Sequence, residues 1–325
     1  MRLLVTGGAG YIGGVVTLHL LRAGHQVTVL DDLSTGHADS VPDGATFVPG
    51  DVAERSGAVL ADGDPYDGVL HFAAKAVVSE SVEHPERYWR TNVAGTLALL
   101  DAMRANAVPR LVFSSTAATY GEPDEVPIPE TAPTRPTNPY GASKLAVDLM
   151  ITSEAAAHGL GATSLRYFNV AGASGGQGER HSPETHIIPI ALQVVAGTRP
   201  VFAVNGTDYP TPDGTGVRDY IHVEDLAAAH VNALAYLRDG GTPVVLNCGY
   251  GHGYSVREVI KSVERIAAAP VAVKDEPRRA GDPPILVARA DKVRSTLGWT
   301  PRLDDLDLIV KTSLEWERKL QRTPW

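Results

Sequence analysis

The chain has 325 residues, 43% of them hydrophobic and 21% charged, which is enough for about two domains with substantial cores. With 29 basic against 38 acidic side chains, the formal charge of −9 excludes the basic footprint of a nucleic-acid-binding protein. One cysteine, Cys248, cannot form an internal disulfide, no Cys/His cluster indicates a metal site, and no apolar run is long enough to span a membrane, so we expect a cytoplasmic, metal-free protein.

Short apolar runs alternate with longer helix-like stretches in the first half, which predicts an α/β, Rossmann-type doubly wound parallel sheet. The chain enters the first strand at once, so we expect no leader peptide. Predicted strands are 2–6, 26–30, 45–48, 68–71, 110–114 and 162–168; predicted helices are 11–23, 86–106 and 140–158. Segments 122–139 and 205–216 are rich in Pro and Gly and should be loops. A Gly-rich stretch after Phe168 divides the chain into a dinucleotide-binding domain, 1–170, and a smaller α/β substrate domain, 171–325, with some crossing back of the chain.

Glycines at positions 7, 10 and 13 join the first strand to the first helix. Small residues there let the backbone approach a pyrophosphate at the positive end of the helix dipole. Such turns also serve plain strand-to-helix packing. Asp31, 18 positions after Gly13, follows the second strand, where a carboxylate accepts both ribose hydroxyls and repels a 2′-phosphate. The pattern favours NAD over NADP.

Tyr140 and Lys144 form a Tyr-x-x-x-Lys pair, which places both side chains on one face of a predicted helix. Asn138 and Pro139 are good starting residues for that helix. We expect the ammonium and the helix N-terminus to lower the pKa of Tyr140, making it a usable base. Thr116, after the fifth strand, should lie at the same sheet edge and could pass a proton to Tyr140. An ordinary helix pair and a simple cap are the alternatives.

These residues together resemble the extended short-chain dehydrogenase/reductase family. Segments 138–144 and 165–169, and above all 214–223 (GTGVRDYIHV), look like those of the UDP-glucose (UDP-galactose) 4-epimerases. The resemblance implies a homodimer paired through helices 86–106 and 140–158, and an enzyme that retains NAD. In that reaction the sugar is oxidised at C4 to a 4-keto sugar, the ring turns over, and hydride returns to the opposite face. The catalytic residues would be Tyr140, Lys144 and Thr116.

The same resemblance implies the binding residues by position. The residues that would contact NAD are Gly7, Gly10, Tyr11, Ile12, Gly13, Asp31, Asp32, Leu33, Ser34, Thr35, Gly36, Asp51, Val52, Phe72, Ala73, Ala74, Lys75, Ala76, Asn92, Ser114, Thr116, Tyr140, Lys144 and Phe168. Those that would contact a UDP-hexose are Thr116, Tyr140, Asn169, His186, Ile187, Val204, Asn205, Arg218, Arg279, Asp282 and Leu286. The two arginines suit a diphosphate because their donors can grip two oxygens at once. His222 is interpreted as structural.

Four positions depart from the family pattern, and one of them is Thr116, which stands in place of a serine and supplies the same donor and acceptors. Some members carry a lysine where this chain has Ala76, whereas Lys75 lies one position earlier. Asn205 replaces an aromatic residue that often stacks on uracil. Leu286 lies where some members have tyrosine and others a small residue, a choice associated with admitting N-acetylated sugars.

Three alternative functions share parts of this residue pattern. A 4,6-dehydratase is disfavoured because Ala117 and Ala118 occupy the positions of its acid and base. A 4-epimerase of another UDP-sugar (N-acetylhexosamine, glucuronate or xylose) stays open. A non-catalytic NAD-sensing regulator is less favoured, since it would not need Thr116, Tyr140 and Lys144 together.

Overall fold

The structure, a computed structural model, describes residues 1–174, 176–279 and 281–322. Its strands, numbered along the chain, are β1 (Arg2–Thr6), β2 (Gln26–Asp31), β3 (Thr46–Pro49), β4 (Gly68–His71), β5 (Arg110–Thr116), β6 (Gly161–Tyr167), β7 (Asn169–Ala171), β8 (Ala173–Ser174), β9 (Gln177–Gly178), β10 (Phe202–Asn205), β11 (Val217–Arg218), β12 (Tyr220–His222), β13 (Val244–Cys248), β14 (Tyr254–Ser255), β15 (Val273–Glu276) and β16 (Ile285–Leu286). The helices are α1 (Tyr11–Arg22), α2 (Val52–Ala61), α3 (Val78–Glu83), α4 (Pro85–Tyr88), α5 (Gly95–Ala105), α6 (Pro139–His158), α7 (Ile187–Val195), α8 (Val223–Arg238), α9 (Val256–Ala267), α10 (Asp291–Leu297) and α11 (Leu306–Arg322).

A parallel sheet of seven strands, in the order β13-β6-β5-β4-β1-β2-β3, forms the centre of the molecule. The predicted doubly wound α/β fold is confirmed. The six predicted strands are present, with ends displaced by no more than two residues. The seventh strand, β13, was missed: it lies far along the chain, in the half assigned to the substrate domain, and pairs with β6.

Both faces of the sheet are covered, because successive strand residues point to opposite sides. Leu3 and Val5 pack with α1 and α8 on one face, and Leu4 packs with α2, α5 and α6 on the other. All three side chains are fully buried, and burial of each stabilises the fold by roughly 1.5–3 kcal/mol relative to leaving it exposed to water. Such burial on both faces explains the unbroken apolar runs of the strands.

The second half of the chain adds α7, α9, α11 and four small sheets, of which β10-β15 and β14-β11-β16 are two. Ile188 of α7, Val259 of α9 and Ile309 of α11 belong to the same buried cluster as Leu3. The apolar core is therefore continuous between the halves, and the division at residue 170 stays a prediction.

The predicted helices are also found, with one irregularity. The helix expected over 86–106 runs from Pro85 to Ala105 but contains a π-helical turn, Trp89–Ala94, between α4 and α5. The expected loops are largely irregular, apart from a bridge between Ile128 and Ala288 and the ends of neighbouring elements. Among the residues described, none of the helices combines the length and apolar character that crossing a bilayer requires.

Candidate active site

The loop between β1 and α1 depends on its glycines for close packing. Gly7 has a φ of +73°, and a Cβ placed there would lie 2.5 Å from the backbone nitrogen of Ala73. A Cβ at Gly13 would lie 2.2 Å from the carbonyl oxygen of Gly7. Larger residues would push the loop away from the end of β4 and open the turn.

The start of α1 offers backbone donors to an anion. Gly10 precedes the helix, no side chain of the described residues caps it, and its first turn has no acidic residue. The N–H groups of Tyr11 and Ile12 therefore lie at the positive end of a twelve-residue helix. A phosphate group is a suitable acceptor for them. The Tyr11 hydroxyl donates to the carbonyl of Gly172 at 2.6 Å, which joins this loop to the second half of the chain.

Asp31 ends β2 next to the glycine loop. Its carboxylate accepts the N–H of Ala9 at 3.0 Å and that of Leu33 at 2.8 Å, and burial raises its pKa. A carboxylate fixed in this way keeps lone pairs for ribose hydroxyls. The other predicted residues of this loop, Asp32, Leu33, Ser34, Thr35 and Gly36, follow directly, the first four of them exposed.

Asp51 has a structural role that the sequence left open. It caps α2, where its carboxylate accepts the N–H groups of Ala53 at 2.7 Å and Glu54 at 3.3 Å. Val52 begins that helix and is buried. Contacts of these two residues with NAD stay predictions.

Asn92 connects the end of β4 to α6. Its Oδ1 accepts the backbone N–H of Lys75 at 2.8 Å, and its Nδ2 donates to the carbonyl of Lys75 at 3.0 Å and to Ser143 Oγ at 2.9 Å. The predicted cofactor segment from Phe72 through Ala73, Ala74 and Lys75 to Ala76 is thus tied to the tyrosine helix. The side chain of Asn92 is committed to this backbone clamp.

The three predicted catalytic residues come together at the carboxyl end of β5. As expected, Asn138 caps α6 by accepting the N–H of Gly141 at 2.9 Å, with Pro139 as the first helical residue. The Tyr140 hydroxyl is hydrogen-bonded to Thr116, the last residue of β5. Lys144 donates from Nζ to the carbonyl oxygen of Ser114 at 2.8 Å.

The prediction that Lys144 and the helix N-terminus lower the pKa of Tyr140 is wrong for the chain without its cofactor. Burial raises the pKa of Tyr140, and the hydrogen bond from Thr116 opposes that increase. Burial also lowers the pKa of Lys144 to about 8, against the influence of the Asp148 carboxylate. Desolvation therefore outweighs the short-range charge effect that the spacing of the pair suggested.

A buried polar network behind Lys144 was missed by the sequence analysis. Asp148 Oδ2 accepts from Arg166 Nη2 at 2.8 Å and from Ser115 Oγ at 3.1 Å. Arg166 also donates to the Tyr120 hydroxyl at 3.1 Å. Asp148 follows Tyr140 and Lys144 at four-residue spacing, a signal that could have placed it on the same helix face.

Several predicted substrate residues meet beside this edge. Arg218 of β11 pairs with the Asp282 carboxylate, and Leu286 of β16 is its partner in the strand register. Leu286 and Phe168 both pack against a small apolar cluster that includes Tyr120. Arg279 is exposed, and its carbonyl oxygen accepts the backbone N–H of Asp282 at 3.3 Å.

Other predicted substrate residues are placed differently. Val204 is fully buried in β10, so neither its side chain nor its backbone presents accessible surface to a ligand, while Asn205 ends that strand. Asn169 begins β7, and His186 and Ile187 lie at the start of α7. His222 is structural, as interpreted: it caps α8, its Nδ1 accepting the N–H of Glu224 at 3.1 Å.

The fold, with Thr116, Tyr140 and Lys144 at one edge of its sheet, is that of the extended short-chain dehydrogenase/reductase class. A model of the NAD dependent epimerase/dehydratase family matches residues 3–249. The chain belongs to this family, which confirms the predicted enzyme class and NAD as its cofactor.

Close relatives support the assignment. The UDP-glucose 4-epimerase of Streptomyces lividans is 57% identical over 96% of this chain and 95% of that protein. The crystal structure of UDP-glucose 4-epimerase from Brucella ovis in complex with NAD has a TM-score of 0.94 at 45% identity and 97% coverage of both chains. That of the Bifidobacterium longum enzyme with NAD+ and UDP has a TM-score of 0.92 at 38% identity, with 98% of each chain covered. The resemblance to UDP-glucose 4-epimerases is thereby confirmed.

Proposed function

We propose that the chain is an NAD-dependent 4-epimerase that interconverts UDP-glucose and UDP-galactose. The observation that carries this proposal is the convergence of Thr116, Tyr140 and Lys144 at the sheet edge where the glycine loop lies. The curated relatives of this chain, at 57% and 54% identity for the first two, are UDP-glucose 4-epimerases.

The residues present fit NAD. The uncapped start of α1 suits the pyrophosphate, and the buried Asp31 suits the adenosine ribose. The Asn92 clamp and the end of β5 form the far wall, next to Tyr140. When bound there, NAD supplies reversible hydride exchange with C4 of the sugar.

The chain's own residues handle the proton. Tyr140, as phenolate, accepts the proton of the sugar 4-hydroxyl and returns it after the ring has turned over. Thr116 Oγ1 accepts the N–H of Ala118 at 3.1 Å, which leaves its own proton for the Tyr140 oxygen. Burial raises the pKa of Tyr140 in the chain alone, so the phenolate would form once the positively charged nicotinamide of NAD lies beside it. Lys144, with a pKa of about 8, keeps most of its charge at neutral pH and would add to that effect.

Nucleotide binding is assigned to the second half of the chain. Arg218 faces a partly exposed Asp282, so a diphosphate can compete for its guanidinium. Arg279 is exposed and adds a second positive charge. Asn205, with its amide, would bind uracil by hydrogen bonds. Leu286, which packs against the same apolar cluster as Phe168, would border the sugar pocket.

One experiment tests the reaction and its specificity. Purified protein is incubated separately with UDP-galactose, UDP-N-acetylgalactosamine and UDP-glucuronate without added cofactor, and the products are identified by NMR. We expect conversion of UDP-galactose to UDP-glucose, which requires retained NAD. If only UDP-N-acetylgalactosamine or UDP-glucuronate were converted, the chain would be a 4-epimerase of that UDP-sugar. If no sugar were converted even with added NAD, a non-catalytic NAD-sensing regulator would be favoured.

We propose that the chain forms a homodimer, as the family resemblance implies, and a group of exposed apolar side chains supports this proposal. Val82 of α3 and Leu149 of α6 are 63% and 61% exposed, and Trp89 and Leu97 are also exposed. The helices α3, α4 and α5 each contact α6, so these apolar side chains come from neighbouring elements. A second copy of the chain would cover them.

A further inference from the structure

Four potential metal ligands gather in the segment between β9 and α7. Glu179, His181, Glu184 and His186 each offer one ligand atom, and these atoms all lie within 4.8 Å of one another. His186 Nδ1 is 2.5 Å from Glu179 Oε1 and 2.8 Å from Glu184 Oε1. His181 Nδ1 is 3.2 Å from Glu179 Oε1.

One ring nitrogen of this cluster is shared between two carboxylates. His186 Nδ1 carries at most one proton yet lies within hydrogen-bond distance of both Glu179 Oε1 and Glu184 Oε1. Glu184 Oε1 also accepts the backbone N–H groups of Thr185 and His186. A cation bound between the nitrogens and oxygens would use all four groups at once.

Both carboxylates of the cluster are removed from water. The Glu179 and Glu184 side chains are only 7% and 5% exposed. Carboxylates with so little hydration favour a positive charge beside them, which a bound cation would supply.

We propose that Glu179, His181, Glu184 and His186 form a binding site for a divalent transition-metal ion of the zinc type. Two imidazole nitrogens and two carboxylate oxygens are a set that Zn²⁺ accepts in tetrahedral geometry. With metal–ligand distances of about 2.1 Å, tetrahedral ligand atoms lie about 3.4 Å apart. The distances between the four ligand atoms range from 2.5 Å to at most 4.8 Å, on either side of that value. Small side-chain movements would therefore bring the four atoms into tetrahedral positions.

Neighbouring contacts give the site a structural role. The carbonyl of Glu179 accepts from Trp316 Nε1 at 2.7 Å, and Gln177 Nε2 donates to the carbonyl of Ser40 at 2.7 Å. An ion would fasten this anchored end of the segment to His186, which precedes α7. The His186 side chain is 46% exposed, which provides an entry path.

The test measures metal binding by the full, untagged chain. After equilibration with Zn²⁺ and removal of excess, we expect about one equivalent by elemental analysis, and Co²⁺ should give the intense visible absorption of a tetrahedral site. Glu179→Gln and His181→Asn should each weaken Zn²⁺ binding by at least about tenfold, since even outer-shell partners of metal ligands are worth that much.

His252→Asn is the matched control, because His252 is a half-exposed histidine paired with Asp304 elsewhere on the surface. It should bind Zn²⁺ like the parent chain. Equal binding by all variants, or no stoichiometric binding by the parent, overturns the proposal. Circular dichroism checks folding, and if Glu179→Gln fails to fold, the partly exposed His181 variant alone decides.

Discussion

Replacing Tyr140 with phenylalanine isolates the proton acceptor from the rest of the site. The ring of Tyr140 packs edge-on to Tyr88, with centroids 6.4 Å apart at 78°, and phenylalanine keeps that contact. The hydroxyl is lost together with its hydrogen bond to Thr116. The glycine loop, Asp31 and the Asn92 clamp are untouched, so NAD content should be unchanged.

The two expected effects differ widely in size. Loss of one neutral hydrogen bond costs about 1 kcal/mol of stability. Loss of a positioned acid–base group lowers kcat by about 10²–10⁴-fold, which is roughly 3–5 kcal/mol in the barrier. Activity should therefore collapse in a protein that is folded and loaded with cofactor.

The assay follows UDP-galactose conversion by NMR, with bound NAD measured after extraction and stability measured by urea unfolding. Tyr88→Phe is the matched control: Tyr88 is buried, and its hydroxyl donates to the Val77 carbonyl at 2.5 Å and to Glu80 at 3.0 Å. It should lose stability but little activity. If Tyr140→Phe keeps a kcat within about tenfold of the parent, Tyr140 is not the base.

Four further outcomes are expected. Asp31→Ala should reduce the preference for NAD over NADP, since the carboxylate that repels a 2′-phosphate is gone; an unaltered ratio of dissociation constants removes Asp31 from that role. Leu286→Tyr should reduce kcat/KM for UDP-N-acetylglucosamine more than for UDP-glucose, and equal losses would exclude steric control at this position. Burial lowers the pKa of His71 to about 3 and of His230 to about 4. Below pH 6.5 the unfolded state binds a proton at each of these histidines and the folded state does not. The free energy of unfolding therefore decreases as the pH is lowered, by about 2 kcal/mol per histidine between neutral pH and pH 5. In urea unfolding, the loss of stability between pH 7.5 and pH 5 should be smaller for His71→Asn than for the parent chain. An equal loss in both would contradict the lowered pKa of His71. Leu149→Glu should shift the sedimentation coefficient toward that of a monomer, whereas an unchanged value would place any dimer contact elsewhere.

The sequence predicted the parts of the fold that depend on local pattern. Strand positions follow from short apolar runs, and the start of α6 follows from Asn138 and Pro139, whose cap is present as expected. The family motif predicts that Thr116, Tyr140 and Lys144 lie together, and they do so at the end of β5.

What the sequence could not supply arises from contacts between distant residues. β13 joins the sheet because it pairs with β6, some 80 residues earlier, and its own five residues carry no sign of that partner. The pKa of Tyr140 depends on how deeply neighbouring elements bury it, so the spacing of Tyr140 and Lys144 pointed in the wrong direction. The pairing of Asp148 with Arg166 likewise required the α6–β6 packing.

The position of β13 limits how the protein can be divided for engineering. A fragment ending at residue 170 would leave β6, buried at six of its seven residues, with an open edge, because Val244–Cys248 normally pairs along it. Unprotected edges of that kind recruit other chains. A soluble cofactor-binding fragment would therefore have to be built by grafting the distant strand back through a new linker, since simple truncation invites aggregation.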